Sequence, residues 1–317
     1  MLGVRWLALV ALVCVPFFVL PAQAQKAGEW ADMPPMPTLR SELAAAASDG
    51  RIYVAGGLAE KGGLNTFEVF DIATRTWETL KQLPQRRHHT AMAAVDGRIY
   101  VTGGYMGSGS EGLRDLRVYE PETNQWSRRA SPPRSRVAHS MAAIHGKLYV
   151  VGGITRDPHS VWSYDPLTNT WRDNLSRIPT MREHATAVAV SGKLYVIGGR
   201  WSQVNLSVVE VYDPRTNQWS RAASMPAPMG GLTSAVVNGR IHVTGGEDVK
   251  SPTTYAGHYA YNPRTNTWET LPSLPTARHG LTSVGVDGVF YVIGGSTVAG
   301  ADTRNNLSNL VEAYRVE

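Results

Sequence analysis

The chain has 317 residues, with 31 lysines and arginines against 26 acidic residues and a formal net charge of +5. This excess is mild and scattered, which argues against a nucleic-acid-binding surface. Cys14 is the only cysteine and lies in the N-terminal apolar segment, so residues 25–317 are expected to have no disulfide, no thiolate nucleophile and no thiolate metal ligand.

The N-terminal segment predicts export. Arg5 precedes an apolar stretch from Trp6 to Leu20, and residues 21–24 read Pro-Ala-Gln-Ala, an A-x-A cleavage pattern. The stretch is about fifteen residues long, shorter than the roughly twenty that span a bilayer. We therefore expect a signal peptide over residues 1–24, cleavage after Ala24, and a periplasmic or extracellular protein without a membrane span.

A glycine pair organises the remaining sequence. It recurs six times at intervals of 46 to 49 residues, and each pair ends a short apolar run such as IYVAGG or LYVIGG. The pairs begin at residues 56, 103, 152, 198, 245 and 294. Self-similarity with a period near fifty residues indicates a repeat architecture.

Each unit contains four strand signals in the same order. The first strand precedes a tight turn such as Asp49-Gly50, whose two residues suit a hairpin with positive φ. The second strand ends in the glycine pair, the third ends in an aromatic residue, and the fourth begins at a tryptophan. Outside the signal segment no window favours a helix. Six four-stranded antiparallel units predict an all-β fold, a six-bladed β-propeller.

The sixth unit lacks a tryptophan strand after Tyr314, whereas Trp30 stands before the first unit. We predict that residues 27–33 supply the fourth strand of the last blade. This closes the ring with strands from both parts of the chain and removes open sheet edges. Residues 25–317 are then one propeller domain.

The combination of double glycine, tyrosine, Asp-Pro and T-N-x-W at this spacing resembles the kelch repeat, from residue 27 to residue 317. Small departures occur at His242, which replaces a tyrosine, and at residues 72–75, which read Ile-Ala-Thr-Arg. The resemblance implies a six-bladed kelch β-propeller. We expect its glycines to allow close approach and its aromatic residues to pack between blades.

Strand parity separates two faces of the propeller. The short turns after the first and third strands lie on one face, here called the turn face. The irregular loops after the glycine pairs lie on the other, here called the loop face. Since variable loops on a rigid scaffold usually carry binding sites, we expect a site at the channel mouth on the loop face.

An arginine stands ten residues before the turn glycine in five of the six units; Met229 takes this place in the fifth. Two interpretations remain open. The guanidinium groups could ring the channel mouth and bind carboxylate, phosphate or sulfate, or they could bond backbone carbonyls of the neighbouring blade. Kelch propellers that bind acidic peptides resemble the first arrangement. The candidate ligand-binding residues are Arg40, Arg87, Arg136, Arg182, Arg278, Arg200, Trp201 and Tyr105.

The histidines near the strand starts do not suggest a metal site. His139, His184 and His279 lie seven, eight and nine residues before their turn glycines, so they are not expected to face one another. His88 and His89 are adjacent and would point to opposite sides of a strand. No metal and no cofactor is predicted.

Two functions remain from different classes. The first is a monomeric, non-catalytic binding propeller whose partner is an acidic protein or peptide, or an anionic carbohydrate. The second is a carbohydrate-active enzyme that resembles periplasmic sialic acid mutarotases, with Glu42, Glu183 and Glu247 as candidate catalytic acids and bases. That family carries long insertions which this chain lacks. The copper chemistry of galactose oxidase is excluded, because its cross-linked cysteine has no counterpart here.

Overall fold

The computed structural model describes residues 28–107, 112–300 and 306–316. Within these ranges the regular secondary structure consists of β-strands, as expected. The predicted signal peptide lies outside the described residues. The strands are β1 (Glu29–Met33), β2 (Ala44–Ser48), β3 (Arg51–Ala55), β4 (Leu58–Ala59), β5 (Gly62–Gly63), β6 (Phe67–Asp71), β7 (Thr76–Thr79), β8 (Ala91–Val95), β9 (Arg98–Thr102), β10 (Leu116–Glu120), β11 (Gln125–Arg128), β12 (Ser140–Ile144), β13 (Lys147–Val151), β14 (Trp162–Asp165), β15 (Thr170–Arg172), β16 (Thr186–Val190), β17 (Lys193–Ile197), β18 (Arg200–Trp201), β19 (Val204–Asn205), β20 (Val209–Asp213), β21 (Gln218–Ala222), β22 (Thr233–Val237), β23 (Arg240–Thr244), β24 (Glu247–Asp248), β25 (Thr253–Thr254), β26 (His258–Asn262), β27 (Thr267–Leu271), β28 (Thr282–Val286), β29 (Val289–Ile293) and β30 (Val311–Arg315).

Six antiparallel sheets of four strands form the six predicted blades. Their strand orders are β2-β3-β6-β7, β8-β9-β10-β11, β12-β13-β14-β15, β16-β17-β20-β21, β22-β23-β26-β27 and β28-β29-β30-β1. The first strand of every blade lines a central channel whose cavity measures about 440 Å³. Alanine and other small residues dominate this wall, and apolar clusters fill the spaces between neighbouring sheets. The predicted six-bladed β-propeller is confirmed.

The last blade is closed by the N-terminal strand, as the position of Trp30 predicts. Strand β1 pairs antiparallel with β30, with Trp30 opposite Tyr314 and Ala31 opposite Ala313. The indole of Trp30 also packs against Tyr314, with ring centroids 5.3 Å apart. The outer strand of blade 6 therefore comes from the residues that precede blade 1.

The two predicted turn types are also present. Asp49 and Gly50 have φ values of 51° and 71°, and the other five inner hairpins repeat this pair of positive values. Asn124, in the turn before the tryptophan strand, has φ 52°. Its side-chain oxygen accepts hydrogen bonds from the Tyr119 hydroxyl at 2.9 Å and from the Lys81 backbone amide at 3.0 Å. This asparagine thus connects its own blade to the preceding one.

The six repeat tryptophans form a second set of links between blades. Each indole Nε1–H donates to a backbone carbonyl of the preceding blade or of the segment that leaves it. The acceptors, at 2.8–2.9 Å, are Pro272 for Trp30, Pro34 for Trp77, Lys81 for Trp126, Ala130 for Trp171, Ser176 for Trp219 and Ala223 for Trp268. The tryptophans therefore have the structural role expected from the repeat.

Three short ribbons extend from the loop face, and the sequence did not predict them. They are β4–β5 in blade 1, β18–β19 in blade 4 and β24–β25 in blade 5. The ribbon of blade 4 pairs Trp201 with Val204 across a turn whose central residues, Ser202 and Gln203, both have positive φ. Across the described ranges, no helix has the length and hydrophobicity that a membrane span requires.

Candidate functional site

A closed ring of six residues surrounds the channel axis at its loop-face end. One residue of this inner ring precedes the first strand of each blade, and all six have φ between 48° and 68°. The backbone N–H of each donates to the carbonyl of the corresponding residue in the preceding blade, at 2.7–3.1 Å. The inner ring consists of Glu42, His89, Ala138, His184, Gly231 and Gly280.

Left-handed backbone explains how the ring forms. It costs a non-glycine residue roughly 1–2 kcal/mol, and here the conformation brings each amide and carbonyl into a bond with a neighbouring blade. Three ring positions carry polar side chains, Glu42, His89 and His184, and these line the mouth of the channel. The same three can offer one ligand atom each, with the atoms all within 4.8 Å of one another.

The carboxylate of Glu42 lies at the centre of this group. Its Oε2 is 3.4 Å from Nε2 of His89 and 4.0 Å from Nε2 of His184. Its Oε1 is 4.0 Å from Nε2 of His279. The rings of His89 and His184 meet edge to face, with centroids 4.9 Å apart.

Further charged groups surround these three side chains. Arg200 donates from Nε to Oε1 of Glu183 at 2.9 Å, and its Nη1 contacts the carboxylate of Glu247. The second oxygen of Glu183 contacts Nδ1 of His184. Glu247 also accepts a bond from the backbone amide of Gly300 at 2.7 Å and lies 3.5 Å from His279. We call Glu42, His89, Glu183, His184, Arg200, Glu247 and His279 the axial cluster.

Burial sets the protonation of three residues of the axial cluster, Glu42, His89 and His184. It raises the pKa of Glu42. It lowers the pKa of His89 to about 3, with the positive charge of Arg200 acting in the same direction. The pKa of His184 is also lowered well below its usual value, again chiefly by burial. Both imidazoles are therefore neutral near pH 7 and have a nitrogen lone pair available.

The sequence comparison of His139, His184 and His279 did not consider the pair that the structure brings together, His89 and His184. Both lie eight residues before their turn glycines, Gly97 and Gly192, and Glu42 lies eight before Gly50. This shared spacing places all three in the inner ring. The common distance of these three residues from their turn glycines is visible in the sequence. It was missed because only His139, His184 and His279 were compared.

The five arginines of the repeat do not line the channel mouth. Their side chains are 0–2% exposed and lie within the blades. Arg182 is typical: Nη1 donates to the Gly198 carbonyl at 3.0 Å and Nη2 to Oε2 of Glu210 at 2.6 Å. Each of Arg40, Arg87, Arg136, Arg182 and Arg278 bonds the first carbonyl of its own glycine pair. Both interpretations of the five arginines are therefore corrected. Their guanidinium groups are buried rather than arranged around the channel mouth, and they bond backbone carbonyls of their own blade rather than of the neighbouring one.

Acidic residues in the third strands, or directly before one, compensate most of these buried charges. Arg40, Arg87, Arg182 and Arg278 pair with Glu68, Asp115, Glu210 and Glu312 respectively. In blade 3 the guanidinium of Arg136 stacks 3.9 Å from the ring centroid of Trp162. In blade 5, which has Met229, the position equivalent to Glu210 holds Tyr259. In blades 1, 4 and 6, the acidic residue within an otherwise apolar third strand was the sequence signal for a buried pair.

The glycine pairs contact these arginines from the preceding blade. The amide of Gly57 donates to the carbonyl of Arg87 at 2.9 Å. A Cβ atom on Gly56 would stand 2.5 Å from the same oxygen, and the φ of Gly56 is 61°. Close approach and left-handed backbone together explain the repeated glycine.

The remaining candidates lie on the loop face. The ring of Tyr105 is 5.6 Å from that of His88 and 6.1 Å from that of His89. Trp201 is half-buried on its ribbon. Six large hydrophobic side chains of the described residues are exposed, and five of them belong to the loop face: Leu39, Met106, Ile154, Val204 and Val298; the sixth, Leu167, is on the turn face. Arg86 and Arg134 are also exposed beside the inner-strand starts.

Comparison with known families agrees with the fold. The profile of the Attractin/LZTR1 beta-propeller family matches residues 99–317, more than half of the chain. The profile of the KLHDC2/KLHL20/DRC7 Kelch-repeats domain matches residues 17–153. The two matched ranges overlap in blades 2 and 3 and together include all six glycine pairs.

Individual proteins resemble single repeats. An F-box/kelch-repeat protein of Arabidopsis thaliana is 51% identical over 49 residues, 16% of this chain and 18% of that protein. Kelch-like protein 40 of Xenopus laevis is 44% identical over 50 residues, 16% of this chain and 8% of that protein. The chain thus spans less than a fifth of either relative. The solved structure of YjhT superposes with a TM-score of 0.74 at 19% identity, covering 88% of this chain and 96% of that one.

Proposed function

Because the chain belongs to the Attractin/LZTR1 beta-propeller family and is built from kelch repeats, we propose that it is an exported, monomeric binding propeller. It binds another protein through its loop face and has no catalytic step of its own. The kelch fold is a scaffold for such interactions in general. What this proposal adds is that the loop face is the binding surface and that the partner has a particular surface chemistry.

The distribution of exposed hydrophobic side chains carries the proposal. Leu39, Met106, Ile154, Val204 and Val298 are 40–52% exposed, and all belong to the loop face. Single exposed apolar residues are normal, but their collection on one face is typical of a protein-binding surface. Val204 lies directly across its ribbon from Trp201. Together these two side chains form an apolar anchor that projects from the blade.

The partner surface should combine apolar and acidic groups. The sequence suggested an acidic ligand on the basis of the repeat arginines, and these are buried and bonded. Arg86, one residue before Arg87, and Arg134, two residues before Arg136, are exposed instead and offer the same chemistry. We therefore retain an acidic protein partner, contacted by Arg86 and Arg134, in preference to an anionic carbohydrate.

The experiment compares two faces of the same molecule. The partner is first identified by cross-linking in the exported fraction of the producing cell, and its affinity is measured with purified components. The triple variant Met106→Ser, Ile154→Ser, Val204→Ser should weaken binding at least tenfold. The matched control, Leu167→Ser, removes the 91%-exposed leucine of the turn face and should leave the affinity unchanged.

A second substitution tests the acidic character of the partner. Arg86→Glu with Arg134→Glu should slow association and reduce its dependence on salt. Equal affinity for wild type and the triple variant would contradict the proposal, as would an equal loss from Leu167→Ser. Circular dichroism of each variant confirms that the propeller is intact before affinities are compared.

One observation supports the enzymatic alternative. Glu42, Glu183 and Glu247 come together in the axial cluster, beside a cavity of about 440 Å³. Glu42 has a raised pKa, as a general acid near neutral pH requires. A sugar-converting enzyme of the mutarotase type would use these carboxylates for proton transfer at an anomeric hydroxyl.

This alternative has a direct assay. Anomeric exchange of sialic acid can be followed by NMR in the presence of the protein. An accelerated exchange that Glu42→Gln reduces by at least tenfold would support the enzyme. A rate equal to that of buffer would leave the binding function as the single proposal.

A further inference from the structure

We propose that Glu42, His89 and His184 bind one divalent transition-metal ion on the propeller axis. This site goes beyond the binding function of the loop face and is independent of it. Two imidazoles and one carboxylate are a ligand set suited to zinc and to other first-row divalent ions. The three side chains come from blades 1, 2 and 4 and converge at the end of the channel.

The distances between ligand atoms fit a single ion. Metal–ligand bonds of about 2.0–2.2 Å in tetrahedral geometry separate neighbouring ligand atoms by roughly 3.3–3.6 Å. The His89 Nε2 to Glu42 Oε2 distance is 3.4 Å, and the His184 Nε2 to Glu42 Oε2 distance is 4.0 Å. All three ligand atoms lie within 4.8 Å of one another, so rotation of the side chains about the backbone of the inner ring would bring them onto one centre.

Both imidazoles are supported from behind, as metal-bound histidines usually are. Nδ1 of His184 contacts the carboxylate of Glu183, which Arg200 holds at 2.9 Å. Nδ1 of His89 bonds Nδ1 of His88 at 2.5 Å. These contacts leave the two Nε2 atoms facing Glu42. A carboxylate–histidine–metal arrangement of this kind fixes the tautomer and the orientation of the ring.

The other half of the inner ring leaves room for the ion and for exchangeable ligands. Its three members are Ala138, Gly231 and Gly280, which have small side chains or none. A Cβ atom on Gly280 would lie 2.5 Å from Oε1 of Glu42, so glycine at this position makes space for the carboxylate. With three protein ligands, the remaining coordination positions would open towards the channel, as in sites that exchange water or bind a ligand.

Local charge favours a cation. Two carboxylates, those of Glu183 and Glu247, contact one guanidinium, that of Arg200, and the carboxylate of Glu42 faces the imidazoles of His89 and His184. A bound divalent cation would be offset by the carboxylate of Glu42, which binds the ion in its ionised form. His279 lies 3.5 Å from Glu247 and 4.0 Å from Glu42 and is not one of the three proposed ligands.

The test uses the full-length purified protein, stripped with a chelator and dialysed against metal-free buffer. Isothermal titration with Zn²⁺ should give one ion per chain with micromolar or tighter affinity. Titration with Co²⁺ should give visible d–d absorption bands of a site with nitrogen and oxygen ligands. Thermal unfolding should occur at a higher temperature with either ion, because binding to the folded state stabilises it.

The histidine variants introduce glycine, a residue that already occurs at two positions of the inner ring. His89→Gly and His184→Gly copy Gly231 and Gly280, which have the same positive φ, and Glu42→Gln keeps the shape of the side chain. Each should lower the affinity for Zn²⁺ at least 100-fold and abolish the Co²⁺ bands. Glu183→Gln, which alters only the support of His184, should lower it about 10- to 100-fold.

His139 provides the matched control. It is buried beside the channel, one residue after the ring position of blade 3, and blade 2 has threonine at the same place. His139→Thr should leave stoichiometry, affinity and spectrum unchanged. The proposal would be overturned by the absence of one-to-one binding in the wild type, by wild-type affinity in the three ligand variants, or by an equal loss in His139→Thr. If a histidine variant does not fold, Glu42→Gln and Glu183→Gln decide between these outcomes.

Discussion

At the scale of single residues, the repeat arginines stand near the loop face in the sequence of each blade, but their charged side chains are buried inside the blade. Arg182 and Glu210 are both 0% exposed and are joined at 2.6 Å. The guanidinium also satisfies two backbone carbonyls, those of Gly198 and Val208. Since removing one partner of a buried pair leaves an uncompensated charge, each partner should depend strongly on the other.

The natural difference between blades 4 and 5 provides a test of this dependence. Blade 5 has Met229 and Tyr259 where blade 4 has Arg182 and Glu210. We expect Arg182→Met alone, and Glu210→Tyr alone, each to lower the free energy of unfolding by about 3–5 kcal/mol. The double variant, which copies blade 5, should lose less than either single variant.

Urea unfolding of the four proteins measures this as a double-mutant cycle. Losses that simply add would show that the two charges are not coupled. The midpoint and the slope of each transition should be compared, because a changed slope would indicate altered compactness rather than altered pairing.

Two buried histidines should make the propeller sensitive to acid. Nδ1 of His242 is 3.0 Å from Nε2 of His258, whose Nδ1 lies 3.1 Å from the Pro272 carbonyl. Burial lowers the pKa of His242 to about 3 and that of His258 to about 4. In the unfolded chain both would titrate near pH 6.5. The unfolded state therefore takes up protons first as the pH falls, and stability that is complete above pH 6.5 is lost towards pH 3–4.

The variant His242→Tyr with His258→Val should reduce this loss between pH 6.5 and 4. It introduces tyrosine, as in the other blades, and valine, as at position 209 of blade 4. Each histidine contributes at most about 1.4 kcal/mol per pH unit, and the slope of unfolding free energy against pH should fall accordingly. His145→Asn, at an exposed turn where blade 5 has Asn238, is the control and should keep the wild-type slope.

At the scale of strands and turns, the sequence was most informative where chemistry repeats. Six Asp-Gly-like turns and the tryptophan strands were predictable because each requires specific backbone angles or a specific partner. The ribbons β4–β5, β18–β19 and β24–β25 were not predictable, since each occurs in a different loop and has only two residues per strand. Their pairing depends on loop length and on neighbouring blades.

The axial cluster was partly predictable for the same reason. Glu42, Glu183, Glu247 and Arg200 were recognised as polar residues near the mouth, but their mutual bonds were not. The inner ring needed one further observation, the constant offset of eight residues from the turn glycine. The arginines were misplaced because strand periodicity does not show which buried acid compensates a charge.

At the scale of the whole molecule, closure by β1 should be a major determinant of stability. The register places Glu29 opposite Arg315, and both side chains are exposed. Replacing both with cysteine, in a chain with Cys14→Ser, would allow a disulfide across the closing strands. We expect the oxidised form to be more stable than the reduced form by about 2–5 kcal/mol, because the crosslink spans nearly the whole chain.

Guanidinium unfolding of the oxidised and reduced forms measures the difference, and the single variant Glu29→Cys controls for side-chain replacement. If the guanidinium midpoint of unfolding is the same for the oxidised and reduced forms, the prediction is contradicted, because separation of β1 from β30 would then not be part of unfolding. Complete crosslinking must be established by thiol titration before the forms are compared.

The inner ring also has an electrostatic consequence. Six amide donors and six carbonyl acceptors follow one another head to tail around a circle without a first or last member. A helix built from aligned peptide groups has a positive and a negative end, but a closed circle has neither, and its tangential dipoles cancel on the axis. The backbone therefore gives the axis little preference for the sign of a ligand's charge. Selectivity there depends on the side chains at six positions, three of which are Ala or Gly, so ligand preference can change by substitution while the scaffold stays the same.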